Sequence, residues 1–159
     1  VYGEAALRER MRSSMALKCL VGRSTGFYNR LYANGLINSE FSVDADSAAG
    51  ESFVIFGGES SDPDAVADAI RAEIGRVAAG GFDEAFFARQ KKASYGGRIR
   101  ALGNFEGLAI SLIEGCFNGY QPLDAFSVLE SLTADECAAW LRERLAADRM
   151  ALSVIRPRD

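Results

Sequence analysis

Catalysis by side chains needs a nucleophile with a base at hand, or a set of metal donors at matched spacing. The chain has 159 residues and no histidine, which removes His-based zinc sites, Ser-His-Asp triads and Cys-His pairs together. Ser24, Thr25 and Cys116 are candidate nucleophiles, but no base stands beside any of them. Cys19, Cys116 and Cys137 are odd in number, widely spaced, and each set amid apolar helical residues. That pattern predicts buried free thiols in a reducing cytoplasm, not a closed thiolate site. Asp44 and Asp46 invite a calcium reading, yet the glycine and closing glutamate of an EF-hand loop are misplaced. Solvated carboxylates at a strand end fit those two better. The chemistry left is recognition. Tyr28, Arg30 and Tyr32 crowd one short stretch, where they either bind something or belong to a helix that buries aromatics.

That stretch, Gly22 to Ser42, organises the chain. Ser24 is placed as the N-cap of a helix in which Phe27 and Leu31 share one face and Tyr28 and Tyr32 the adjoining one. Gly35 supplies the left-handed residue that ends it, Leu36 and Ile37 pack back, and the chain leaves as a strand from Glu40 to Ala45. Before it, Leu7, Met11, Met15 and Cys19 recur every four residues and predict a helix over about 4–21 with a core stripe flanked by Arg8 and Arg12. After it, Ser47 to Gly50 reads as a turn and Ser52 to Phe56 as the second strand of an antiparallel hairpin. The unbroken run Val54-Ile55-Phe56 places that strand inside a sheet.

Asp62-Pro63-Asp64 is helix-start chemistry: a capping carboxylate, a proline at the first position and a second acid at the positive end of the dipole. Val66, Ile70, Ile74 and Val77 form the buried face, and Gly80-Gly81 ends it. Gly57-Gly58 is no phosphate loop, since no Gly-Lys-Ser/Thr follows. Asp83 caps the next helix, with Phe86 and Phe87 turned inward. Its basic run, Arg89 to Lys92, reads as one solvated face of an acidic protein. Gly96, Gly97 and Gly103 interrupt, and Asn104 to Gly115 resumes the helix. Phe126, Leu129 and Leu132 mark a short helix after a loop over 119–122. Thr133 and Glu136 form a capping box, and Cys137, Trp140, Leu141 and Leu145 line the inward face that follows. Met150 to Ile155 is predicted as a final strand ended by Pro157.

The fold expected from this order is α+β, an antiparallel sheet with helices packed on one face, with residues 1–159 forming a single domain. A net charge of −4 argues against nucleic acid as partner. No apolar run is long enough to cross a bilayer, and a cytoplasmic location is expected. The chain opens on Val1 and not Met, which we read as a piece or processed form of something longer.

The order of these signals resembles the insulinase-like (pitrilysin) zinc peptidases, most nearly the bacterial branch whose members are paired with a second, similar protein. The matching residues are Ser24-Thr25, Tyr28, Arg30-Leu31-Tyr32, Gly35-Leu36-Ile37 and Phe41-Ser42. They continue through Gly57-Gly58 with Asp62-Pro63, and Glu84, Phe87, Arg89, Lys91 and Gly96. The last are Leu132-Thr133 with Glu136, and Ser153-Val154 with Pro157. The resemblance implies the C-terminal, non-catalytic domain of such a peptidase, with zinc held by an H-x-x-E-H helix in an N-terminal domain missing here. It implies a part that closes a substrate chamber and contacts peptide and partner domains, with Tyr28, Arg30, Tyr32 and Asn38 as contact residues and no cofactor in this chain. Strands expected of that domain would precede Val1 and leave a sheet edge unpaired. The arginine and tyrosine with which many members hold substrate fall at Leu31 and Asn38, neither of which suits the role. The resemblance therefore places the chain in the partner that lacks that pair. The alternative is a non-catalytic scaffold or interaction domain descended from the same peptidases.

Overall fold

The computed structural model describes residues 2–48, 51–146 and 149–156. Its centre is α1 (Glu4–Val21), whose stripe Leu7, Met11, Met15 and Cys19 is buried throughout. A helix buried on this scale belongs in the middle of a layer, and α1 packs against helices from both ends of the chain and against the hairpin. Arg8 ties it to the C-terminal part, donating to Ser131 Oγ and to the Glu136 carboxylate.

The short helix α2 (Gly26–Ala33) begins one residue later than the sequence suggests. Thr25, and not Ser24, is the cap, its Oγ1 accepting from the Tyr28 N–H at 3.1 Å. Ser24 instead accepts from the Gln90 amide. Gly35 ends the helix at φ 68°, a conformation cheap only for glycine. The hairpin β1 (Ser42–Ala48) and β2 (Glu51–Gly57) is antiparallel, pairing Val43 with Phe56 and Ala45 with Val54. Both strands run further toward the turn than read from sequence, while β1 begins at Ser42 and not at Glu40; positions 49 and 50 of the expected turn lie outside the described residues.

Two strand expectations fail for one reason: a strand's surroundings are set by what pairs with it. β2 does not lie inside a sheet, because among the described residues its one ladder neighbour is β1. Val54 and Phe56 turn to the core while Phe53 and Ile55 face out beside Asp46 and Asp44. Likewise 150–156 forms no strand. Its apolar alternation is present, but among the described residues it pairs with no strand, and Leu152, Val154 and Ile155 are exposed.

The remaining helices are α3 (Pro63–Gly80), α4 (Glu84–Ala101), α5 (Phe105–Asn118), α6 (Asp124–Ser131) and α7 (Ala134–Arg144). Asp62, Asp83, Asn104 and Thr133 cap four of them through side-chain oxygens, each cap contributing about 1 kcal/mol. The Thr133–Glu136 capping box is complete. The basic run on α4 is only partly a solvated face, since Lys91 donates to the carbonyls of Glu130 and Leu132 and so pins the end of α6. Helix α5 is inverted relative to the others. Gly115 is its buried residue, pressed so close that a Cβ would lie 2.5 Å from the Tyr120 carbonyl oxygen, while Ile110, Ile113 and Phe117 point outward. Cys116 is therefore exposed and not buried as its apolar neighbours suggest. The fold is α+β.

Candidate contact surface

The four residues singled out in the sequence do not form one cluster. Tyr28 and Tyr32, one turn apart, stack with ring centroids 6.0 Å apart and planes 13° from parallel. Tyr28 is buried against Phe41, and its hydroxyl lies 3.4 Å from the Asn38 carbonyl. Tyr32 is 53% exposed and forms the solvent side of the stack. Arg30 sits on the opposite side of α2 and turns toward α3, 3.8 Å from the buried Glu73 carboxylate, which Arg76 already binds at 2.7 Å. Two residues along a helix cannot share the face of their neighbours on either side. Leu31 is buried in the core.

Asn38 has its side chain fully engaged. The amide oxygen accepts from the Glu40 N–H and the amide nitrogen donates to Glu59 Oε2, both at 2.9 Å. Two neighbouring contacts join the same pair of loops. Ser61 donates to the Gly35 carbonyl at 3.2 Å, and Gly58 approaches so closely that a Cβ there would stand 2.9 Å from the Phe41 Cα. The loops over 34–41 and 58–62 are thereby clasped, with Tyr32 at one side and the Glu59 and Glu40 carboxylates at the other. Glu59 was not legible from sequence; the signal available was the Gly-Gly pair before it, which marks a close backbone approach.

This surface can offer an aromatic face and carboxylate acceptors. The Thr25 hydroxyl is spent on the cap, donating to the Gly22 carbonyl at 2.7 Å. Burial, with Cys137 nearby, pushes the Cys19 thiol up to about 12; burial, with Glu136 nearby, does the same for Cys137. Both stay protonated at neutral pH, unfit as metal ligands or nucleophiles. Among the described residues no group of three or more His, Cys, Asp or Glu is placed to hold a metal. The donor chemistry of a His-ligated zinc is absent from the chain, and no step is assigned to a metal here. No helix is long and apolar enough to cross a membrane.

The fold is that of an α+β domain. No family model matches the chain. The sequence is 29% identical over 160 residues to the "Uncharacterized zinc protease YmfH" of Bacillus subtilis (strain 168), covering 99% of this chain and 36% of that protein. The structure superposes on an M16-like peptidase from Alicyclobacillus acidocaldarius with a TM-score of 0.88 at 24% identity, over 93% of this chain and 36% of that one. The chain is thus similar over nearly its whole length to a part of these two proteins, and it spans about a third of the length of each.

Proposed function

We propose that this chain is the C-terminal chamber-closing and partner-contact domain of a zinc-dependent endopeptidase, itself without the metal site. The observation that carries the reading is the match to a zinc protease along 99% of this chain but 36% of that protein, in a sequence with no histidine. In such a parent the zinc and the glutamate that activates water sit in another domain. The clasped loops and the Tyr28–Tyr32 stack then offer peptide or a partner domain an aromatic face, with carboxylates beside it.

A second reading, a scaffold that has left peptide hydrolysis to others, has its own support. Leu31 is buried and Asn38 is committed to holding two loops together, so neither position can grip a scissile peptide. The experiment compares the complete parent protein, a second family member, and their mixture in cleavage of unstructured peptides, with and without chelator. Chelator-sensitive cleavage that appears or rises in the mixture supports the peptidase reading. A parent without H-x-x-E-H, inactive in every combination, supports the scaffold.

A further inference from the structure

We draw no further inference here: the strongest candidate, the outward apolar face of α5 on which Phe105, Ile113 and Phe117 are exposed, carries nothing because nothing in the structure shows what covers it.

Discussion

The Trp140 indole nitrogen donates to Glu9 Oε1 at 2.8 Å, joining α7 to α1 across 131 residues of sequence. Glu9 also accepts from Arg12, and Arg144 approaches it at 3.8 Å. The indole is 4% exposed, so its ring packs in the core while its one polar atom is satisfied. Trp140→Ala should cost about 3–5 kcal/mol. Trp140→Phe, which keeps most of the ring but strands the acceptor, should cost about 1–3 kcal/mol. Urea melts measure both, and an unchanged midpoint for Trp140→Ala would refute the core placement.

Acid should loosen the same seam. Burial works against the Glu9 charge, but the Trp140 N–H and the Arg12 and Arg144 guanidinium groups outweigh it and hold the carboxyl below its ordinary value. The Arg8 hydrogen bond does the same for Glu136, helped by the Thr133 N–H. A carboxyl whose folded pKa is depressed contributes stability that is present above its unfolded pKa and lost as pH falls through the folded one. Stability should therefore decline from about pH 5 downward. The combined Glu9→Gln, Glu136→Gln variant should show a shallower decline; parallel slopes in melts across that range would count against it.

Thr133→Ala removes half of the capping box and should cost about 1 kcal/mol. Because Glu136 serves both the cap and Arg8, Thr133→Ala and Arg8→Met should not be additive. A double-mutant cycle by thermal melts gives the coupling, and strict additivity would show that the cap and the ion pair act separately.

Gly58→Ala should destabilise the chain by about 1–3 kcal/mol, since backbone lies where its methyl would go. Asn38→Ala and Glu59→Ala should each loosen the clasp without touching the core. Hydrogen exchange of the Glu40 amide, which Asn38 holds, should quicken in Asn38→Ala. Unaltered protection there would show that the loops are held by other means.

What could be read in the sequence was local. Asp62, Asp83 and Thr133 declared their helices because a cap acts on amides two or three residues away. The stripe on α1 was visible because its period is written along one element. Ser24 and Thr25 are adjacent hydroxyls and either can cap, so sequence alone does not separate them. The segment 150–156 has the composition of a strand, but ladder pairing belongs to two segments and one cannot announce it. The clasp of Asn38 with Glu59 joins residues 21 apart with no periodicity between them. Arg30 stands beside the tyrosines in sequence but not around the helix, where it turns toward Glu73.

The place of α1 at the centre of the core has a consequence in time. Helix α1 finds Glu136 and Trp140 only when α7 exists, 128 and 131 residues later. On a ribosome adding about 5–20 residues per second, the side of α1 that meets α7 must then wait several seconds for its partner. Pairings so distant in sequence are also slow to find because a long loop must close first. Of the long-range pairings in this fold, those between its first and last helices should be among the last to form.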